Sequence, residues 1–128
     1  MSGSTLTKPI AIAVSGLLLV SAVAAGPEAF AHAKLIRSRP KPFEQLAAGP
    51  THVELWFNER LEDEFNAIEV VDANGHRVEE GAAGVNPNDR TRLSVRLGSL
   101  APGSYVIHWK ILSLDGHPAR GRILFTVQ

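Results

Sequence analysis

The chain has 128 residues, of which 45% are apolar, 20% charged and 6% aromatic, with 13 basic and 13 acidic side chains and no cysteine. Zero net charge without a basic cluster excludes a nucleic-acid binder held by phosphate contacts, and the apolar content excludes a disordered chain. Lack of cysteine excludes a disulfide scaffold, a thiolate zinc site and a thiol nucleophile, and the length fits one domain.

The first 31 residues read as a secretory leader. Residues 1–8 are short and polar, with Lys8 the one basic side chain. Ile10 to Val23 is then mostly apolar, broken by Ser15, Gly16 and Ser21, and small residues lead to Ala29-Phe30-Ala31. A basic start, an apolar middle and a small-x-small end mark a cleaved signal, and the apolar run falls short of the about 20 residues of a membrane span. A cut after Ala31 makes His32 the first residue of a domain covering 32–128. A second small-x-small site at Ala22-Val23-Ala24 stays open, and its use would leave His32 inside a tail. Because Met1 leaves with the leader, the exported product contains no sulfur.

Leu35 to Ser38 is a short apolar-rich run, followed by the turn Arg39-Pro40-Lys41-Pro42. Phe43 to Ala48 has room for one helical turn at most before Gly49-Pro50. Val53, Leu55 and Phe57 then alternate with polar neighbours, Ala67 to Asp72 forms another apolar run, and Asn74-Gly75 predicts a two-residue hairpin returning through His76 to Val78. After the turn Asn86-Pro87-Asn88-Asp89, alternation resumes at Leu93, Val95 and Leu97. It recurs at Tyr105, Ile107, Trp109 and Ile111, and again at Ile123, Phe125 and Val127. Period two over short runs separated by turns predicts an all-β sandwich or barrel of about seven strands. Leu100 to Tyr105 has the form of a tyrosine corner, whose hydroxyl bonds back to upstream backbone.

Five histidines are the candidates for chemistry. His52, His76 and His108 read as solvated strand or turn residues. His117 differs, because in Ser113-Leu114-Asp115-Gly116-His117-Pro118 a carboxylate and an imidazole lie two residues apart and converge if the segment is extended. The same Asp-Gly pair is also an ordinary turn signal. An N-terminal His32 would offer its α-amine and ring Nδ1 together as a six-membered chelate. With His117 and Asp115 this makes three nitrogens and one oxygen, a set suited to Cu(II), with Ni(II) and tetrahedral Zn(II) as alternatives. The absence of sulfur argues against a dedicated Cu(I) site.

His32-Ala33-Lys34-Leu35, Trp56-Phe57-Asn58-Glu59, Ser113 to Pro118, Gly121 and Phe125-Thr126-Val127 together resemble the CopC copper-resistance family over nearly all of residues 32–128. The resemblance implies an immunoglobulin-like Greek-key β fold that binds copper in the periplasm or at the cell surface. It implies His32, Asp115 and His117 as Cu(II) ligands. It implies Glu59 as an acid beside the site that orients the amine or a ligand ring; otherwise Glu59 is a solvated strand-end carboxylate. It suggests an inner-membrane copper transporter as receiver, and a monomeric carrier rather than an enzyme. The methionine-rich Cu(I) loop of some members has no counterpart here. A lytic polysaccharide monooxygenase-like copper brace is the competing reading, opposed by the closed donor set.

Overall fold

A computed structural model of the chain describes Gly3 and residues 33–128. The chain divides into two compact units, Met1–Ala31 and His32–Gln128, and the second carries all the described elements. The expected leader and His32 lie outside the described residues.

Eight strands follow in chain order: β1 (Leu35–Arg39), β2 (Glu44–Leu46), β3 (His52–Phe57), β4 (Ala67–Asp72), β5 (Glu79–Asn86), β6 (Asp89–Leu97), β7 (Gly103–Leu112) and β8 (Pro118–Val127). They form two four-stranded sheets. Sheet 1 has the order β1-β3-β6-β5 and sheet 2 the order β2-β8-β7-β4. There is no α-helix among the described residues. The architecture is the two-sheet sandwich that the alternation predicts, of the Greek-key kind that the resemblance implies.

The inward positions are the predicted ones. Val53, Leu55 and Phe57 from β3, Leu93, Val95 and Leu97 from β6, Tyr105 to Ile111 in alternation from β7, and Ile123, Phe125 and Val127 from β8 are all buried. Period two turns every second side chain to one face, so two such sheets close a single core between them. Aromatic pairs join it: Phe57 meets Trp109 edge to face at 5.1 Å, and Tyr105 stacks on Phe125 at 5.3 Å. The tyrosine corner is present, with the Tyr105 hydroxyl donating to the Ala101 carbonyl at 2.5 Å.

Two local expectations are corrected and one holds. Phe43 to Ala48 is not a helical turn, because Glu44–Leu46 pairs in parallel with Phe125–Val127 as β2. Residues 76–78 do pair back on β4, through a Val71–Arg77 bridge and a Val78 N–H to Val70 carbonyl bond of 2.8 Å. The loop at Asn74-Gly75 is longer than two residues. Gly75 N–H donates to the Asp72 carbonyl and Asp72 N–H to the His76 carbonyl, while Gly75 alone takes a left-handed φ of 81°. This is a type I turn closed by a glycine bulge. The Gly-rich β5, which has little sequence signal, pairs with β6 across two breaks in register, and β1 carries a bulge between Leu35 and Arg37.

Gly121 stands opposite Trp109 in the β7–β8 ladder. A Cβ there would come within 2.5 Å of Trp109 Cζ2, and the ring is held in the core with 9% exposure. Gly121→Ala therefore overpacks the core and lowers stability by about 1–3 kcal/mol. Urea unfolding checks this; an unchanged midpoint contradicts it.

Candidate metal centre

The β7–β8 hairpin ends in the second Gly-His loop of the chain. Gly116 N–H donates to the Ser113 carbonyl at 2.9 Å and Ser113 N–H to the His117 carbonyl at 3.1 Å, the same closure seen between Asp72 and His76. Gly116 takes φ 86°, a conformation that favours glycine over any residue with a Cβ. Asp115 and His117 thus converge because the loop turns, not because it is extended. The turn reading and the pairing reading both hold.

Ser113 organises this loop from below. It is buried, its Oγ donates to Asp115 Oδ1, and the same Oγ accepts the His117 N–H at 3.2 Å. Asp115 Oδ2 lies 3.0 Å from His117 Nδ1, and both side chains are about half exposed. The Ser113 hydroxyl, then His117, holds the Asp115 carboxyl below the usual carboxylate range. At 3.0 Å, Asp115 Oδ2 and His117 Nδ1 are spaced as two neighbouring donors of one metal ion are, and a cation can take the place of the proton between them. The chemistry is that of a hard-to-borderline nitrogen and oxygen donor pair.

Lys34, near the start of the domain, is held at the same end of the sandwich. Lys34 N–H donates to Asn58 Oδ1 at 2.6 Å, and Asn58 N–H donates to the Lys34 carbonyl at 3.0 Å. Ala33 is buried at 4% exposure. Two residues beyond Asn58, the Arg60 carbonyl accepts the Leu114 N–H at 2.9 Å, and Leu61 bridges to Ser113. Residues 58–61 therefore span the gap, holding the start of the domain on one side and the Asp115–His117 loop on the other.

Glu59 sits half-buried in that span, between the residue that clasps Lys34 and the one that clasps Leu114. Among the described residues it does not join Asp115 and His117 in a group of three metal-binding side chains. His32, one residue before the clasped segment, is outside the described residues. The other histidines are exposed and apart from this end: His52 Nδ1 is 3.0 Å from Thr51 Oγ1, and His108 faces Glu69 and Arg122 across the outer side of sheet 2. His76 has a carboxylate partner that its position beside a turn did not suggest, with Nδ1 3.5 Å from Asp72 Oδ2.

Two contributors were missed at the level of sequence, Ser113 and Asn58. Asn58 grips the Lys34 backbone, Ser113 grips the His117 N–H and the Asp115 carboxylate, and neither is the imidazole or carboxylate type that marks a copper ligand. A Ser two residues before an Asp-Gly pair at the end of an alternating run is the one signal that could have pointed to the first. If Asn58 positions the domain start, Asn58→Ala lowers metal affinity by about 10–100-fold, as loss of an orienting partner does, and leaves the fold intact. Competition against a chelator checks this, and an affinity equal to the parent's contradicts it.

Residues 35–128 match the family model described as the CopC domain. The copper transport protein CutJ of Bacillus subtilis (strain 168) is 33% identical over 112 residues, which is 87% of this chain but 21% of CutJ, so the chain spans about a fifth of that relative. The crystal structure of CopC from Methylosinus trichosporium OB3b matches with a TM-score of 0.71 at 32% identity, covering 76% of this chain and 94% of that one. PcoC, a methionine-rich copper resistance protein from Escherichia coli, matches with a TM-score of 0.63 at 30% identity, over 77% of this chain and 100% of its own.

Proposed function

The chain belongs to the CopC family of copper-resistance proteins, and from that membership we propose that it is an extracytoplasmic Cu(II) carrier. Residues 1–31 direct export to the periplasm and are removed, and the protein acts as a monomer. The cargo is held by the α-amine and ring of His32 together with His117 and Asp115, with Glu59 orienting the amine or a ligand ring. The single observation that carries this reading is the Ser113-pinned Asp115–His117 pair, tied through Arg60 to the segment that clasps Lys34. Nitrogen and carboxylate donors without thiolate or thioether suit Cu(II) and leave Cu(I) without soft ligands. The methionine-rich character named for PcoC is not shared, since Met1 is the only methionine. Four donors from the chain fill a tetragonal shell, which favours holding and passing the ion over oxygen chemistry, and an inner-membrane copper transporter is the receiver.

The intact mass of the exported protein, recorded with and without Cu(II), tests this reading. Expected is a product starting at His32 that gains one copper. A product starting elsewhere, or one that takes up no copper in competition with a strong chelator, overturns it.

Acidification should release the ion. Free α-amine and imidazole groups take up protons at about pH 8 and about pH 6.5, so affinity falls steeply by about pH 5. Asp115 contributes nothing to this window. Its carboxyl is held down by the Ser113 hydroxyl and His117, so it stays ionised there, and its stabilisation of the loop is lost only when pH falls below the usual carboxylate range. A Cu(II) absorption titration that is flat from neutrality to about pH 5 contradicts this.

A further inference from the structure

Sheet 1 carries an uneven distribution of charge on its outer face. Trp56 of β3 stands opposite Arg37 of β1 on one side and Arg92 of β6 on the other. Three guanidinium groups gather over its indole: Arg37 at 4.7 Å, Arg92 at 5.0 Å and Arg39 at 5.8 Å from the ring centroid. One carboxylate answers them, Glu54, at 2.5 Å from Arg92. Among the described residues Arg37 and Arg39 have no carboxylate partner, as Arg60, Arg120 and Arg122 have none, whereas Arg77, Arg90 and Arg96 each have one; what sets Arg37 and Arg39 apart is that they share one indole.

The cluster opens into a groove of about 540 Å³ whose lining includes Arg37, Arg39, Lys41, His52, Glu44 and Glu54. Both carboxylates there are engaged, Glu54 by Arg92 and Glu44 by the Lys41 N–H at 2.7 Å. Three like charges around one ring repel one another, and the ring faces offset that repulsion only in part. A guanidinium stacked on an indole keeps its in-plane N–H donors for a carboxylate. In a chain of zero net charge, this face therefore holds a local excess of positive charge that a counter-anion would complete.

We propose that the Trp56–arginine face is the docking surface for an acidic segment of the protein that exchanges copper with this chain. The exchange rests on the carrier reading above; the docking of an acidic segment does not. Tryptophan and arginine are the residue types that dominate binding energy at protein interfaces. An open groove that presents Arg37, Arg39 and Lys41 in succession along one edge suits an extended chain of Asp and Glu, whose carboxylates can meet them in turn. Trp56 marks the end of this face nearer the candidate metal centre, two residues before Asn58, which clasps Lys34, while the groove runs from there along β3 to His52 and Pro50; the partner's copper-receiving groups would therefore lie beyond the Trp56 end of its acidic segment. Charge complementarity there would speed encounter and set orientation.

The test titrates the metal-free exported protein into fluorescently labelled oligoglutamate and, separately, oligolysine, following anisotropy. Expected is saturable, salt-sensitive binding of oligoglutamate alone, weakened about tenfold or more by Arg37→Glu with Arg39→Glu. Lys110→Glu, on the outer face of sheet 2, should leave it unchanged. From the Cu(II)-loaded parent and Lys110→Glu proteins, the ion should pass faster to a Gly-Gly-His peptide bearing an oligoglutamate tail than to one bearing none, with the advantage lost in the double variant. Equal binding of both oligopeptides, or equal loss in Lys110→Glu, overturns the proposal. So does tighter binding to phosphatidylglycerol vesicles than to oligoglutamate with the same arginine dependence, which assigns the face to a membrane. A protein that binds oligoglutamate as expected but takes up no copper overturns the carrier reading and leaves the docking face standing.

Discussion

His117→Ala lowers Cu(II) affinity by at least about a hundredfold while the thermal unfolding midpoint stays close to the parent value. Loss of a group that only orients a metal ligand costs about 10–100-fold, and removal of the ligand itself costs more. The fold survives because the loop is closed by backbone atoms of residue 117. Its N–H reaches Ser113 Oγ at 3.2 Å and its carbonyl accepts the Ser113 N–H at 3.1 Å, and alanine keeps both. The substitution does leave Asp115 without its imidazole partner, but that carboxylate is solvent-exposed and retains the Ser113 hydroxyl. Chelator competition with a parallel melt separates the two effects. Undiminished affinity removes His117 from the ligand set.

Placing one extra residue before His32 produces a loss of similar size. The added residue converts the α-amine into an amide, which no longer offers a lone pair, and moves the new amine by about 3.8 Å along the chain. The ring of His32 stays, so this variant isolates the amine. The anchoring downstream makes the experiment clean: Lys34 is fixed to Asn58 by two hydrogen bonds and Ala33 is buried, so the chain cannot slide to bring the added residue into place. Copper affinity matching the parent's would show that the amine is not a ligand.

Much of this was legible in the amino-acid order. Val53, Leu55 and Phe57, and the corresponding residues of β6, β7 and β8, announce their inward face because a strand buried on one side repeats every second residue. The tyrosine corner was legible because its Tyr follows Pro102-Gly103 at a fixed interval. β2 and β5 were not. The first is three residues long and owes its existence to a parallel ladder with β8, a partner about 80 residues away. The second holds two glycines and two alanines, and it is extended because β6 offers a long edge rather than because of its own propensity. At the metal centre, Asp115 and His117 could be picked out by side-chain chemistry. Asn58 could not, because its grip on the Lys34 backbone joins residues 24 apart that only the folded chain brings within reach; Ser113 acts locally, and its place two residues before Asp-Gly was the one sign of it.

The irregular ladders at the margins of sheet 1 have a consequence for how this protein behaves in a crowd. Both outer strands, β1 and β5, are out of step with their neighbours, and Ile36 is pushed out of register to 66% exposure. β2, at one margin of sheet 2, is only three residues long. Unbroken rows of peptide groups are the templates on which one molecule adds to the next, and kinks and short strands deny them. Three of the four sheet margins are finished in this way and offer poor templates for fibrillar self-association; β4, regular over six residues against β7, is the margin left, and with no cysteine in the chain no thiol cross-link can add to it.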